Sequence, residues 1–388
     1  MIKRQLTNTI ISNHKNGFID IIYGPRRIGK TTLVSQILSK LKNLNNSETI
    51  KIFNGDYLED REIFSNTSFI HLKKIVKKTT TLVIDEAQRI PNISLSLKIL
   101  IDAFPELRII VTGSSSLHLS KGAKEVLTGR TQTYNLYPLS TLELGTNFQD
   151  HQLKQLLENQ LIYGSYPQLT NFDKNIDKEK YLINIVNDYL LKDITDLQQV
   201  QPESLLNLAK LLAFQIGSEV SLNELSKKLG IDIKTVKRYL SLLKQSFIIF
   251  ELGAWSKNLR KEVTKSKKYY FWDTGIRNAL IGQFSPTSIR SDIGGLWENF
   301  LIIERIKTLD YAQKLKNYYF WRSYDQAEVD WIEENVSNMN TQSKTKQLQA
   351  FEFKWRKNKA KTPKSFLEAY DTVVQLVNKE NYLEFIME

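Results

Sequence analysis

The chain contains no cysteine among its 388 residues. It can therefore form no disulfide, thiolate zinc site, iron–sulfur cluster or cysteine nucleophile. Long apolar runs are also missing: none approaches the ~18 residues that a membrane-spanning helix needs. The first residues lack the apolar stretch of a secretory signal. These absences predict a cytoplasmic protein that does not associate with membranes.

Histidine is scarce, and the four histidines do not have the spacing of metal ligands. The six tryptophans are expected to lie in the hydrophobic core rather than to stack on nucleic-acid bases. The segment 335–347 is polar and low in apolar residues, which predicts a mobile loop between two strands.

Basic residues are abundant and unevenly placed. The chain has 54 Lys and Arg against 42 Asp and Glu, a net charge of +12. Residues 226–268 carry 12 basic residues and only three acidic ones (Asp232, Glu251 and Glu262). A basic stretch favours a polyanionic partner, most often nucleic acid, whereas composition alone is equally compatible with a solvated surface.

The length predicts two or three domains, because a single core rarely extends over so many residues. Apolar runs alternate with the helical patterns 33–44 and 94–104 in the first part, which is typical of a parallel α/β sheet. The expected regions are a P-loop ATPase domain (1–140), a helical lid (141–200), a winged helix-turn-helix (201–285) and an α/β nuclease-like domain (286–388). The strands predicted in the first region are 18–24, 49–57, 80–87, 107–115 and 131–139.

Residues 24–31 match the motif G-x-x-x-x-G-K-[ST] at every fixed position, between an apolar strand and a helix. Glycines let successive backbone N–H groups face phosphate oxygens, and the helix adds its positive N-terminal end. Lys30 is predicted to reach the β- and γ-phosphates of ATP, and Thr31 to ligate Mg²⁺. The predicted nucleotide-binding residues are Gly24, Pro25, Arg26, Arg27, Ile28, Gly29, Lys30, Thr31 and Thr32.

Two adjacent carboxylates, Asp85 and Glu86, end the predicted strand 80–87. Ligands bind at the carboxyl ends of strands in open α/β sheets. We therefore expect Asp85 to hold the Mg²⁺ shell and Glu86 to orient and polarise the attacking water. Together with Lys30, this pair predicts an ATP-hydrolysing enzyme.

These motifs resemble those of the AAA+-like P-loop ATPases of bacteria and archaea that carry C-terminal DNA-related domains. The resemblance implies that the strand 107–115 ends in a sensor of the γ-phosphate, with Thr112 and Ser114 as candidates. It also implies that Arg130 is a finger towards the nucleotide of a neighbouring subunit, and hence a homo-oligomer. A structural ion pair is the alternative role for Arg130. No second sensor arginine can be identified in the lid, which leaves a ring-forming mechanism open.

Residues 221–245 have the pattern of a helix-turn-helix. Ser221 is an N-cap with a glutamate three residues on, and Gly230 ends the first helix. A strand at 247–252 and the basic segment 255–268 then suggest a winged variant, with its second helix in the major groove of DNA. The residues predicted off the apolar face of that helix are Lys234, Lys237, Arg238 and Tyr239.

In the wing, Lys257, Arg260 and Lys261 are predicted to contact phosphates. A winged helix that binds only protein is the alternative. The concentration of positive charge in this region favours DNA.

Three acidic residues and a lysine follow in a recognisable order near the C-terminus. Glu298 lies in a helical pattern, Asp330 in the strand pattern 327–332, and Glu352 with Lys354 in the next strand. Residues two apart in a strand face the same side, so Glu352 and Lys354 should project together. With Asp330 they are expected to form a carboxylate cluster for Mg²⁺, in which the lysine polarises water.

This order resembles the PD-(D/E)xK restriction-endonuclease-like superfamily. The resemblance implies an Mg²⁺-dependent DNA endonuclease with Glu298, Asp330, Glu352 and Lys354 as its site. The long loop before Glu352 departs from compact members of that superfamily. The leading hypothesis is thus an ATP-hydrolysing protein that acts on DNA. The alternative is a nucleotide-gated binding switch in which the nuclease-like fold is inert.

Overall fold

The computed structural model describes residues 2–114, 127–145, 148–188, 200–255, 267–323, 325–335, 348–356 and 359–387. The chain divides into two compact units. The first comprises Met1–Tyr137 with Gln245–Phe247, and the second comprises Pro138–Lys244 with Ile248–Glu388.

The first unit is built on a parallel sheet of five strands in the order β2-β3-β4-β1-β5. The interior strands β1 and β3, on either side of β4, are buried along their whole length, as expected where helices cover both faces of a parallel sheet. The predicted α/β architecture is confirmed, although each strand is shorter than predicted. The strands are β1 (Ile19–Tyr23), β2 (Ile50–Asn54), β3 (Thr81–Asp85), β4 (Arg108–Gly113) and β5 (Thr131–Asn135).

Helices flank this sheet, and two of them match the predicted helical patterns: α2 (Lys30–Leu44) and α5 (Ile93–Ala103). Apolar side chains from the strands and from α5 form one core, with Ile21, Leu82 and Leu97 among its buried members. Three further helices were not predicted, because each has only eight residues and so spans little more than two turns of apolar periodicity. They are α1 (Leu6–Asn13), α3 (Leu58–Ser65) and α4 (Phe69–Val76).

The second unit begins with the helices α6 (Thr141–Leu144), α7 (Asp150–Tyr163) and α8 (Asn175–Ile185). The region predicted as a lid is therefore helical up to Ile185, and most of the rest of it lies outside the described residues. The buried carboxylate of Asp273 accepts hydrogen bonds from the N–H groups of Ser165 (2.7 Å) and Ile276 (3.0 Å). This carboxylate fixes the turn after α7 against the start of a later helix of the same unit.

The next part alternates helices with short antiparallel strands. The Ser221 hydroxyl accepts a hydrogen bond from the N–H of Glu224 (3.4 Å), and Gly230 closes the first helix of the pair with φ +64°. Both features agree with the predicted cap and turn. The elements are α9 (Pro202–Phe214), β6 (Glu219–Val220), α10 (Leu222–Leu229), α11 (Ile233–Gln245), β7 (Ile249–Ala254), β8 (Lys267–Phe271) and α12 (Thr274–Ile281).

The strands of this part join those of the C-terminal part in one seven-stranded sheet, in the order β12-β11-β10-β9-β7-β8-β6. The junction is the parallel pairing of β7 with β9, where Gly253 lies opposite Tyr319. The boundary predicted at residue 285 therefore does not separate two independent sheets. The C-terminal elements are α13 (Ile293–Tyr311), β9 (Lys316–Arg322), β10 (Glu328–Asn335), β11 (Leu348–Phe353), α14 (Lys364–Tyr370), β12 (Val374–Val377) and α15 (Tyr382–Met387).

Tryptophan packs largely as predicted. Trp255, Trp297, Trp321 and Trp331 are buried, whereas Trp272 and Trp355 are half-buried. Residues 336–347 of the predicted mobile loop lie outside the described residues. Among the described helices, none combines the length and the apolar character required to cross a membrane.

Candidate nucleotide site and acidic cluster

The loop between β1 and α2 has the geometry of a phosphate cradle. Gly29 adopts φ +93° immediately before α2, a left-handed conformation that favours glycine. Gly24 also has no room for a side chain, because a Cβ there would lie 2.6 Å from the carbonyl oxygen of Leu136. Arg26 and Arg27 are exposed at the tip of the loop, while Pro25 and Ile28 are buried beneath it. The loop leads directly into the N-terminus of α2, where backbone N–H groups without helical partners favour an anion.

Lys30, the first residue of α2, is 5% exposed. Its ammonium group donates hydrogen bonds to the carbonyls of Gly24 (3.1 Å) and Pro25 (3.2 Å) and lies 3.6 Å from the Glu86 carboxylate. Burial lowers the pKa of Lys30, and the nearby charges of Glu86 and Asp85 counteract that effect. The lysine is thus held where a phosphate group on the loop would meet it.

Asp85 joins three elements at the end of β3. Its carboxylate accepts a hydrogen bond from the Thr31 hydroxyl (2.9 Å) and another from the Thr112 hydroxyl on β4. These hydroxyl and carboxylate oxygens are the hard ligands that Mg²⁺ prefers, and they lie beside the phosphate cradle. Thr31 and Asp85 therefore fit an Mg²⁺ ion, and Thr112 is hydrogen-bonded to Asp85. Ser114, the other sensor candidate, follows the end of β4 and is half-buried.

Glu86 occupies a left-handed backbone conformation (φ +48°), which is uncommon for a residue with a side chain. Its N–H donates to the Thr112 hydroxyl (3.2 Å), and its carboxylate accepts a hydrogen bond from the Gln88 amide (2.5 Å). A Cβ at Gly55 would lie 2.4 Å from the Glu86 carbonyl oxygen, so the turn is tightly packed. Such locally strained positions cluster at functional sites.

Arg130 lies at the opposite edge of the sheet from the cradle. It precedes β5, whose first residue, Thr131, lies opposite Ile19 at the amino end of β1. A five-residue strand spans about 16 Å, so Arg130 cannot reach the cradle of its own chain. Its guanidinium pairs with Asp102 on α5, and both side chains are about 42% exposed. The structure thus contains the Arg130–Asp102 ion pair. A role of Arg130 towards the nucleotide of another subunit stays a prediction.

On α11, the candidate DNA-binding side chains Lys234, Lys237 and Arg238 are exposed. Tyr239 was predicted to lie off the apolar face, and that prediction is wrong. Tyr239 is buried, and its hydroxyl accepts a hydrogen bond from the N–H of Gln201 (3.0 Å). The wing candidates Lys257, Arg260 and Lys261 lie outside the described residues.

Several cations of the basic stretch 226–268 are partnered within the second unit. Lys244 and Lys267 both pair with Glu251, at 2.8 and 2.5 Å, and Lys228 pairs with Glu224 (2.6 Å). The charge that this stretch offers to a partner is therefore smaller than its composition indicates.

The four residues of the predicted nuclease-like site come from three elements of the second unit. Glu298 lies on α13, Asp330 on β10, and Glu352 on β11 with Lys354 just beyond it. Lys354 Nζ lies 3.0 Å from a Glu352 carboxylate oxygen, as their spacing predicted. Asp330 lies within an irregularity in the pairing of β10 with β9, and its carboxylate accepts the N–H of Phe353 (2.7 Å). β-bulges of this kind re-aim side chains and are frequent beside active sites.

A fifth residue, which the sequence analysis did not single out, lies among these carboxylates. Lys268 on β8 is 2% exposed; its ammonium pairs with Glu298 (3.1 Å) and with Glu328. The Tyr270 hydroxyl donates to the same Glu298 oxygen (2.5 Å). Lys268 and Tyr270 alternate along β8 and so face one side, a period-2 signal that the run of basic residues concealed.

The charged side chains of this acidic cluster shift one another's pKa values. Burial and the charge of Glu298 raise the pKa of Asp330 to about 7, although Lys268 and Lys354 oppose the rise. Burial alone would lower the pKa of Lys268, but Glu298 and Glu328 outweigh it and raise that pKa above its usual value. The ammonium therefore stays charged.

Within the described ranges, no three acidic or histidine side chains are grouped so that they could hold a metal ion. The carboxylates of the predicted Mg²⁺ site have partners within the chain: Glu352 is paired with Lys354, and Asp330 accepts the N–H of Phe353. Glu298 is bonded to Lys268 and Tyr270. A metal ion at Asp330 and Glu352 stays a prediction.

Comparisons with known proteins match three successive regions of the chain. Residues 16–145 match the family described as AAA domain. The five-stranded parallel sheet and its cradle agree with this match, so the first unit has the fold of a P-loop domain similar to the AAA domain. Residues 154–287 and 293–383 match two domains of unknown function, DUF8612 and DUF4143. The former covers most of the predicted lid and the predicted winged helix together.

An uncharacterized protein of Mycobacterium tuberculosis is 27% identical over 314 residues, or 80% of this chain and 66% of that protein. The match spans just under two thirds of that relative. An uncharacterized protein of Haemophilus influenzae is 25% identical over 323 residues, 79% of each chain.

Among solved structures, AMPPCP-bound DnaA from Aquifex aeolicus is 16% identical and covers 62% of this chain and 86% of its own, with a TM-score of 0.30. The Aeropyrum pernix ORC1 protein in complex with DNA is 13% identical and covers 72% and 91%, with a TM-score of 0.32. Similarities at this level do not indicate a function.

Proposed function

We propose that the protein hydrolyses ATP with Mg²⁺ and uses the nucleotide state to control its engagement with DNA. The observation that carries the first part is the convergence of Lys30, Thr31, Asp85 and Glu86 at one edge of the parallel sheet. Lys30 would face the phosphates, Thr31 and Asp85 would hold Mg²⁺, and Glu86 would orient water. Arg130 would act on the nucleotide of a second copy of the chain.

The support for DNA as partner is the exposed cationic face of α11. Lys234 and Lys237 are exposed and form no ion pair with any described residue. The order α9-β6-α10-α11-β7-β8, with β6, β8 and β7 in one antiparallel sheet, supports a winged helix. In such a fold the second helix of the pair is the one that enters a major groove.

The test measures ATP turnover and DNA affinity in the same preparations. Lys30→Ala is expected to lower ATP hydrolysis by about a hundredfold or more. Lys42→Ala, on the exposed face of the same helix, serves as the matched control and should hydrolyse ATP normally. DNA affinity, followed by fluorescence anisotropy, should differ between the ATP-analogue and ADP states of the unmodified protein. Equal affinity in both states would contradict nucleotide control, and unchanged turnover in Lys30→Ala would contradict the ATPase.

A further inference from the structure

The acidic cluster of the second unit departs from a metal-dependent nuclease site in one respect, the buried cation among its carboxylates. We infer that the ammonium group of Lys268 takes the place of a divalent cation in this cluster, so that the C-terminal α/β region holds no catalytic metal. This inference goes beyond the proposed function, because it requires neither ATP hydrolysis nor DNA binding.

The position of Lys268 carries the argument. Its side chain is 2% exposed, and its Nζ lies against carboxylates from two different elements, Glu298 on α13 and Glu328 on β10. A buried carboxylate is costly unless a positive charge compensates it. Lys268 supplies that charge from within the chain, where a metal-dependent site would need an added ion.

Other carboxylates of the cluster also have partners within the chain. Tyr270 donates to the oxygen of Glu298 that faces Lys268, and Lys354 compensates Glu352. The Asp330 carboxylate is bound to the N–H of Phe353 and is nine-tenths buried. A divalent cation would have to displace these partners as well as Lys268.

The local backbone fixes Lys268 in this position. Lys268 lies opposite Leu252 of β7 and opposite Glu219 of β6, so both of its neighbouring strands hold it in the sheet. On the other side, α13 lies close to the turn after α9, since a Cβ at Gly295 would be 2.8 Å from the Ile216 carbonyl oxygen. Glu298, one turn further along α13, is thereby kept against β8.

The experiment titrates Mn²⁺ into the full-length protein without nucleotide and counts bound ions by electron paramagnetic resonance. An Asp85→Asn background removes the P-loop as a second Mn²⁺ site. The Asp85→Asn protein with Lys268 intact should have no Mn²⁺ site at Glu298 or Asp330. Adding Glu298→Gln or Asp330→Asn should therefore leave its Mn²⁺ binding unchanged. In the same background, Lys268→Met should create one Mn²⁺ site per chain. Its affinity for Mn²⁺ should be at least about tenfold higher than that of the protein with Lys268 intact, which is the scale on which residues around the ligands tune metal sites.

Two controls make the outcome specific. Lys316→Met removes another largely buried lysine, which pairs with Glu333, and should create no Mn²⁺ site. Adding Glu298→Gln to Lys268→Met should abolish the new site. The inference is overturned if the protein with Lys268 intact binds Mn²⁺ in a Glu298-dependent manner. It is also overturned if Lys268→Met folds, as judged by circular dichroism, and gains no ion. If Lys268→Met does not fold, the titration with Lys268 intact still decides the question.

Discussion

The Thr31 hydroxyl donates a hydrogen bond to the Asp85 carboxylate at 2.9 Å and so links the first turn of α2 to the carboxyl end of β3. The same carboxylate accepts a hydrogen bond from Thr112 on β4. A change in the hydrogen bonds of Asp85 would therefore also affect Thr112 on the neighbouring strand. These two hydrogen bonds join α2, β3 and β4 beside the phosphate cradle.

Thr31→Ala should weaken the response of ATP turnover to Mg²⁺, because it removes a hydroxyl ligand next to Asp85. We expect the Mg²⁺ concentration for half-maximal turnover to rise by at least about tenfold. Thr31→Ser keeps the hydroxyl and is the matched control, which should stay close to the unmodified protein. Equal Mg²⁺ dependence in all three proteins would contradict this role of Thr31.

Glu86→Gln should abolish most of the hydrolysis while preserving ATP binding. Loss of a positioned base typically costs about 10²- to 10⁴-fold in rate. ATP affinity should be retained or increased, since the carboxylate 3.6 Å from Lys30 loses its charge. Single-turnover hydrolysis and equilibrium binding of a fluorescent ATP analogue separate the two effects. A parallel loss of binding would assign Glu86 a structural role instead.

Variants of Arg130 and Asp102 distinguish two roles of Arg130: an arginine finger towards another subunit, and a structural ion pair within the chain. If Arg130 acts on the nucleotide of another copy, Arg130→Ala should lower turnover at high protein concentration and leave ATP binding nearly intact. Asp102→Ala, which frees the arginine, should not lower turnover. If only the ion pair matters, both variants should reduce stability by less than about 1 kcal/mol, the usual range for exposed pairs, without affecting turnover.

Replacing Lys234, Lys237 and Arg238 by Ala should weaken DNA binding and flatten its salt dependence. Each lost phosphate contact lowers the slope of log K against log salt by about 0.9. Lys73, Lys74 and Lys77, in and just after α4 of the first unit, are also exposed and give a matched triple control. An identical loss in both triple variants would indicate nonspecific charge attraction rather than a binding face on α11.

Asp330 should make the second unit less stable as pH rises. Its folded-state pKa of about 7 lies above the ordinary value of about 4, so the folded state retains a proton that the unfolded chain has lost. Between these values the free energy of unfolding should fall by at most about 1.4 kcal/mol per pH unit and level off above pH 7. Asp330→Asn should remove this slope.

Intrinsic fluorescence during urea unfolding measures this slope selectively, because all six tryptophans lie between residues 255 and 355, in the second unit. A pH slope that is the same in Asp330→Asn and in the unmodified protein would show that other groups cause it.

The first unit was largely predictable because its signals are local. A P-loop follows an apolar strand directly, and each further strand is a short apolar run that ends in polar residues such as Asp85 or Thr112. The positions of Lys30, Thr31 and Glu86 relative to one another follow from the rule that parallel strands end at one edge. The short helices α3 and α4 were not predicted, because eight residues contain too little apolar periodicity.

The second unit was less predictable because its decisive contacts join distant residues. The pairing of Gly253 with Tyr319 unites two sequence regions, and no local pattern marks it. Lys268 belongs to the basic stretch 226–268, but it is buried, and its partner Glu298 lies 30 residues further along the chain. Tyr239 was misplaced even though its spacing from Val236 and Leu243 is helical.

The parallel pairing of β7 with β9 has a consequence for shortened forms of the protein. A chain that ends at residue 285 would retain β7 but lose the strand that covers its outer edge. Lys268 would simultaneously lose both carboxylates that compensate it. An uncovered strand with unpaired backbone groups recruits strands of other molecules. Such a fragment should aggregate when it is expressed alone, whereas cleavage after Tyr137 would cut no strand pairing.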